Sequence, residues 1–100
     1  MFRFMRTMTV NNLADLPAAL QSAAETTSHL NKTYQLNVKF GLESYGQPRI
    51  HWHFDFDSVD SLSQTNVKIL QDRDYLAMGE KAKHLWLPGS TKDTLVRFRD

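Results

Sequence analysis

The sequence predicts an α+β domain in which a four-stranded antiparallel sheet carries helices on one face. Segments that alternate with a period of two, typical of strands, are separated by segments whose apolar residues recur at helical spacing. Their order is strand, helix, strand, strand, helix, strand. This order is the split βαβ arrangement of the ferredoxin-like fold. We expect residues 1–100 to form a single domain, because this length supports one hydrophobic core.

Composition narrows the possible partners. With 41% hydrophobic and 23% charged residues, the chain has the composition of a soluble globular protein. A net charge of +1 predicts neither a nucleic-acid nor a membrane partner. The chain has no cysteine, which excludes disulfides and thiolate chemistry. Arg3 and Arg6 interrupt the apolar N-terminal run, so we expect no signal peptide and a cytoplasmic location.

The first strand and helix occupy the N-terminal third. Residues 2–10 alternate, with one apolar side on which Arg6 is the exception. Asn12 or Asp15 is expected to cap the following helix. That helix should end near residues 29–33, where His29 would interact with the carbonyl end of the helix dipole.

Two further alternating segments, 36–42 and 49–56, flank the turn cluster SYGQP. A register that pairs Glu43 with Arg49 closes this hairpin with opposite charges. The same register puts every apolar residue of both strands on one side.

The C-terminal half continues the pattern. Ser58 begins a second helical region, QDRD interrupts it, and Asp74 is expected to cap a further short helix. LPGS breaks the helix, and TLVRFR is expected to form the last strand. We expect Val96 on the apolar side of this strand and Arg97 on the other side.

Helices can cover only one face of the sheet, and burial of the apolar side drives folding. The opposite side, called here the polar face, is either solvated or covered by a second copy of the chain. It is expected to contain Arg3, Met5, Thr7, Asn37, Lys39, His51, His53, Asp55 and Arg97.

The segment ILQDRDYLAMGEKAKHLWLPGSTKDTLVR contains Leu70-x-Asp72-x-x-Tyr75, Pro88-Gly89-Ser90 and Asp93-x-Leu95. It resembles the C-terminal half of NIPSNAP-like members of the dimeric α+β barrel superfamily. FRFMRTMTVNNLADL is similar to their opening strand and the loop into the first helix. Asn11-Asn12 stands where these relatives often place a glycine-containing turn.

The resemblance implies a homodimer in which two sheets meet face to face, with the helices outside and the polar face lining a shared lumen. Superfamily relatives include cofactor-free monooxygenases, isomerases, cyclases and haem-handling enzymes, and others with no known chemistry. No catalytic residue carries over, because this sequence displays no diagnostic catalytic signature of those branches.

His51 and His53 are the candidate acid–base residues. The expected register puts Lys39 opposite His53, and a nearby cation favours the neutral imidazole that a general base needs. An alternative is that the two imidazoles only form hydrogen bonds across the sheet. The candidate ligand-binding residues are Arg3, Lys39, Asp55 and Arg97, of which the cations would hold a developing enolate or a carboxylate. For the arginines, the alternative is charge balance with neighbouring aspartates.

A metal site is not expected. His51 and His53 lie about 7 Å apart along a strand, and a catalytic metal needs a third convergent ligand. Asp55 would supply it only if the strand bends. We therefore expect no metal and no cofactor.

Two functional hypotheses follow. In the first, the protein binds a small organic ligand in the barrel and is either a binding protein or a cofactor-independent enzyme of the monooxygenase or isomerase type. In the second, it is a non-catalytic homodimeric interaction module. The first requires a cavity of about 300 Å³ or more that reaches His51 and His53, and the second requires a filled interface. Trp86 is expected to pack either within the domain or on a partner subunit.

Overall fold

The computed structural model describes residues 1–43 and 45–99. It has four strands, in the order β2-β3-β1-β4 with antiparallel neighbours. This topology confirms the predicted ferredoxin-like fold. Short 3₁₀ turns lie at Leu13–Asp15 and Lys83–Leu85. The main elements are β1 (Phe2–Thr9), α1 (Leu16–Tyr34), β2 (Lys39–Leu42), β3 (Arg49–Phe56), α2 (Val59–Leu70), α3 (Arg73–Ala82) and β4 (Lys92–Arg97).

The predicted register of the hairpin is confirmed. Phe40 lies opposite Trp52, and the N–H of Glu43 donates to the carbonyl of Arg49 at 3.0 Å. The Arg49 guanidinium lies 3.4 Å from Glu43 Oε1. Because opposite residues of an antiparallel pair share a face, this register keeps the apolar side chains of both strands together.

The second strand is shorter than predicted, because it begins at Lys39 rather than near residue 36. The side chain of Asn31 on α1 explains this late start. Its Oδ1 accepts from the N–H of Val38 at 2.7 Å, and its Nδ2 donates to the Val38 carbonyl at 3.1 Å. A side chain of the helix therefore satisfies the backbone groups that a strand partner would otherwise bond.

The helix caps differ in part from the prediction. Neither Asn12 nor Asp15 makes a side-chain cap bond. Ser58 begins α2 as predicted, accepting from the N–H of Ser61 at 3.1 Å. For α3 the cap is Asp72 rather than Asp74, since Asp72 Oδ1 accepts from the Tyr75 N–H at 3.0 Å.

The faces predicted for β4 are wrong. Arg97 lies opposite Phe2 and Val96 opposite Arg3, so Arg97 points to the helix side and Val96 to the polar face. The guanidinium of Arg97 lies 5.7 Å from the centre of the Phe2 ring. The strand takes this phase because Asp93 then lies opposite Arg6.

The filled core is small and lies at one end of the domain. Its buried residues come from the end of β1, the middle of α1, the start of β3 and the end of α3. In contrast, α2 has no buried residue. Among the described residues, no helix is long and apolar enough to cross a bilayer. The core residues are Val10, Ala19, Ala23, Ile50, Ala82 and Leu85.

Candidate functional site

Five of the six predicted site residues lie together on the polar face. Asp55 lies opposite Arg3 on the central strand pair, and His53 lies opposite both Met5 and Lys39. His51 is one alternation away from His53 on the same strand and shares its face. The sixth residue, Arg97, is on the other side of the sheet, so its predicted place beside these residues is wrong.

Arg3 and Asp55 form a bidentate ion pair. Arg3 Nε donates to Asp55 Oδ1 at 2.8 Å and Nη2 donates to Oδ2 at 3.1 Å. The hydrogen bonds from Arg3 lower the pKa of Asp55. The pair has no net charge within one protomer.

His51 has a carboxylate partner that the sequence analysis missed. Its Nε2 lies 3.0 Å from Glu43 Oε1, the oxygen that Arg49 also contacts. The signal was available, because a register that pairs Glu43 with Arg49 also places Glu43 diagonally across from His51. The polar face therefore carries two charge clusters, Arg3 with Asp55 and Glu43 with Arg49 and His51.

No metal centre is formed by the part of the chain that the structure describes. No three histidine, aspartate or glutamate side chains within it converge closely enough to hold an ion. His51 and Asp55 are instead bonded to Glu43 and Arg3.

A cleft of about 680 Å³ lies on the opposite side of the sheet, between β1 and β3 below and the helices above. Its volume falls within the range of small-molecule sites. Phe4 and Phe54 form part of its floor, with their rings tilted by 45° and their centres 5.6 Å apart. Both histidines of the polar face are absent from its lining. The walls contributed by α2 and α3 include Leu62, Thr65, Asn66, Ile69, Tyr75, Leu76, Met78 and Gly79.

The two tryptophans of the chain line this cleft. Trp52 and Trp86 meet edge to face with ring centres 5.6 Å apart, and both pack on the core cluster. Trp86 therefore packs within the domain, as one of the two alternatives expected. Their rings give the cleft an aromatic end that joins the filled core.

Arg6 is the charged residue that β1 contributes to the cleft. Its Nε donates to Asp93 Oδ1 at 2.7 Å and its Nη2 donates to Oδ2 at 2.9 Å. The guanidinium lies 5.9 Å from the centre of the Phe4 ring. The bonds from Arg6 lower the pKa of Asp93 and those from Asp93 raise the pKa of Arg6, to which Tyr75 adds a smaller effect. The sequence had marked Arg6 only as an exception to the alternation.

No family model matches the sequence, and no curated protein matches it significantly. Solved structures do match. A NIPSNAP-family protein from Agrobacterium tumefaciens superimposes with a TM-score of 0.82 at 13% identity, covering 99% of this chain and 93% of that one. The chain shares its fold with NIPSNAP-family proteins. The predicted resemblance is confirmed at the level of the fold.

Two other matches have names that bear on function. A dimeric ferredoxin-like protein from an uncultured marine organism has a TM-score of 0.73 at 18% identity, covering 99% of this chain and 91% of that one. SnoaB, a cofactor-independent oxygenase from Streptomyces nogalater, has a TM-score of 0.72 at 12% identity, covering 99% of this chain and 93% of that one. At these identities the similarity shows the fold.

Proposed function

We propose that the protein is a homodimer that binds a small, largely apolar organic molecule in the cleft between its sheet and its helices. This places the ligand on the side of the sheet opposite to His51 and His53. The acid–base and ligand-binding roles of the polar-face residues stay predictions, as does the cytoplasmic location.

The observation that carries the proposal is the unfilled space above large aromatic side chains. Ile50 is the only large side chain among the described residues that is fully buried, whereas Phe4, Trp52 and Phe54 remain partly accessible. Leaving apolar surface in contact with water costs about 25 cal/mol per Å². A bound apolar ligand would remove that cost.

The helices keep this space open by presenting small side chains to it. Ser22 and Ala23 of α1 and Gly79 of α3 all line the cleft. A Cβ added at Gly79 would have no atom within 4 Å. Larger residues would fit at this position and would fill the cleft, so the space depends on side-chain size.

The polar face supports the dimer. Its charged side chains include pairs already formed within one protomer, such as Arg3 with Asp55. Burying a hydrogen-bonded ion pair in an interface costs less desolvation free energy than burying an isolated charge. The dimeric ferredoxin-like neighbour adds support. In this arrangement the two sheets would meet and the clefts would stay on the outer side of each sheet.

Nile red, an uncharged dye that fluoresces in apolar sites, tests the cleft. The wild type is expected to bind it, and Gly79→Phe is expected to weaken binding by about tenfold or more, equivalent to about 1.4 kcal/mol. Gly79→Ala is the matched control, because a methyl group occupies little of the cleft. Its affinity should stay within about twofold.

A second variant distinguishes ligand binding in the cleft from ligand binding in a lumen between the subunits. His53→Ala changes the polar face and leaves the cleft lining intact, so dye binding should be unchanged. If His53→Ala abolishes binding while Gly79→Phe does not, the ligand lies between the subunits and the proposal is wrong. Absence of binding to the wild type would also contradict it.

The similarity to SnoaB supports a second candidate, cofactor-independent oxygenation of the bound molecule. Such a reaction takes its electrons from the substrate, as when naphthol and O₂ give naphthoquinone and water. A cleft with aromatic walls suits a substrate of this kind. Oxygen uptake with naphthol, lost in Gly79→Phe, is the expected result. Uptake that is equal in both proteins would exclude catalysis in the cleft.

A further inference from the structure

We propose that Arg6 anchors an anion in the cleft, and that the ligand is a monocarboxylate with an apolar body. The inference rests on the proposed function, since it assigns a chemical class to the molecule bound there. The carboxylate would lie on the guanidinium edge that Asp93 leaves free, with the apolar body above Phe4 and Phe54.

The position of Arg6 is unusual for a structural arginine. Its neighbours on the same side of β1, Phe4 and Met8, are apolar and line the same cleft. With side-chain exposures of 37% for Arg6 and 42% for Asp93, the ion pair is screened by water and adds little to stability. The pairing with Asp93 sets the phase of β4, and the position of Arg6 in the lining of the cleft allows it to serve a ligand as well.

Asp93 uses only part of the guanidinium. It accepts from Nε and Nη2, and within residues 1–43 and 45–99 no acceptor is bonded to Nη1. The planar guanidinium carries five N–H donors, and the edge formed by Nη1 and Nη2 matches the two oxygens of a carboxylate. Asp93 thus holds the guanidinium from one edge, and Tyr75, whose side chain also interacts with Arg6, has a smaller effect than Asp93, which leaves the second edge open to a stronger acceptor such as a carboxylate.

The charges around the cleft favour one negative charge on the ligand. The other charged residues in its lining are Glu80 and Lys83, and these two are paired at 2.6 Å. With Asp93 balancing Arg6, the site is neutral before the ligand binds. A monocarboxylate would leave a net charge of −1, whereas a dicarboxylate would add a second charge with no cation to meet it.

The aromatic floor explains why the rest of the ligand should be apolar. The guanidinium lies over the Phe4 ring at 5.9 Å, and Phe4 contacts Phe54 at 5.6 Å. A carboxylate on Arg6 would therefore place its substituent over the aromatic rings of the floor. Aromatic and long aliphatic acids fit this surface, and short polar acids do not.

Displacement of Nile red by naphthoate and by its methyl ester tests the anchor. Arg6→Gln should lower the affinity for naphthoate by about tenfold. The affinity for the methyl ester should stay within about twofold of the wild-type value, because the ester has no negative charge for Arg6 to bind. Arg97→Gln is the control. Arg97 lies on the same side of the sheet and over the Phe2 ring but does not line the cleft, so it should change neither affinity.

Asp93→Asn is an independent variant that should change the affinity for naphthoate in the opposite direction. It removes a negative charge next to the ligand and keeps Arg6 together with an amide oxygen that can still accept from it, so naphthoate should bind several-fold more tightly. The anchor is wrong if Arg6→Gln weakens acid and ester equally, or if Asp93→Asn fails to favour the acid. Those results would leave the cleft intact, provided that the ester still binds and Gly79→Phe still blocks it.

Discussion

His29 Nε2 lies 2.8 Å from Asp72 Oδ2, a contact that joins the middle of α1 to the cap of α3. The role predicted for His29 at the carbonyl end of its own helix is wrong, because α1 continues to Tyr34. Tyr34 donates to the same oxygen at 2.7 Å, and the other oxygen caps α3 through the Tyr75 N–H. One carboxylate, 10% exposed, therefore holds two helices together.

Asp72→Asn should lower the urea midpoint of unfolding, because it removes the charge that three hydrogen-bond donors share. The bond from the Tyr75 N–H, followed by those from Tyr34 and His29, lowers the pKa of Asp72 below its ordinary value of 3.8. Its contribution to stability is therefore complete above that value and is lost as the pH falls further. The difference from wild type should stay constant above about pH 4 and shrink as the pH falls below it.

Asp74→Asn is the control for this experiment. Asp74 lies in the first turn of α3, but the cap bond belongs to Asp72. Equal losses of stability in the two variants would show that the carboxylate of Asp72 has no special role.

Tyr34→Phe should remove a loss of stability that the wild type shows at alkaline pH. The hydrogen bond to Asp72, followed by burial, raises the pKa of Tyr34 from 10.0 to about 12. A raised pKa adds stability below pH 10 that is lost as the pH rises through 12. The wild type should thus be the more stable protein at about pH 9, and the difference should shrink at about pH 11. Tyr45, which is 93% exposed, provides Tyr45→Phe as the control, and equal losses of stability in the two variants at about pH 9 would contradict the prediction.

The sheet was predictable where the alternation of apolar and polar residues decides which side chains of a strand face the helices. In 49–56 every second residue is apolar, so only one register keeps Ile50 and Trp52 on the buried side. In β4 the apolar residues Leu95, Val96 and Phe98 fall on both sides, and alternation cannot choose between them. The phase instead follows from the pairing of Asp93 with Arg6, which is 87 positions away in sequence.

The cleft could not be predicted from periodicity. A periodic pattern shows which residues face the helices, but it does not show whether their combined volume fills the space between the layers. The small residues Ser22 and Gly79 leave room that larger residues would occupy. Five of the six predicted site residues lie on the predicted face of the sheet, and Arg97 does not, because alternation could not settle the phase of β4.

Gly79→Ala should stabilise the protein by about 1 kcal/mol, since glycine in a helix interior is less favourable than alanine by that amount and the added Cβ meets no atom within 4 Å. Gly89→Ala should have the opposite effect, because Gly89 has a φ of +77°, a conformation that costs other residues about 1 kcal/mol or more. Urea denaturation of both variants measures these two changes in the free energy of unfolding. A neutral or destabilising Gly79→Ala would show that the space above α3 is already occupied.

Met5→Glu should convert the proposed dimer into a folded monomer. Met5 lies in the centre of the polar face, opposite His53 on one side and Thr94 on the other, so in the dimer its side chain would be buried between the two sheets. A carboxylate there would bring one negative charge from each protomer into the interface, and like charges in an interface weaken association. Within one protomer the neighbouring His53 and Lys39 would tolerate the new charge, which keeps loss of the dimer distinct from unfolding. Light scattering with Gln64→Glu as the control measures the effect, and a Met5→Glu dimer of unchanged mass would place the subunit contact on another surface.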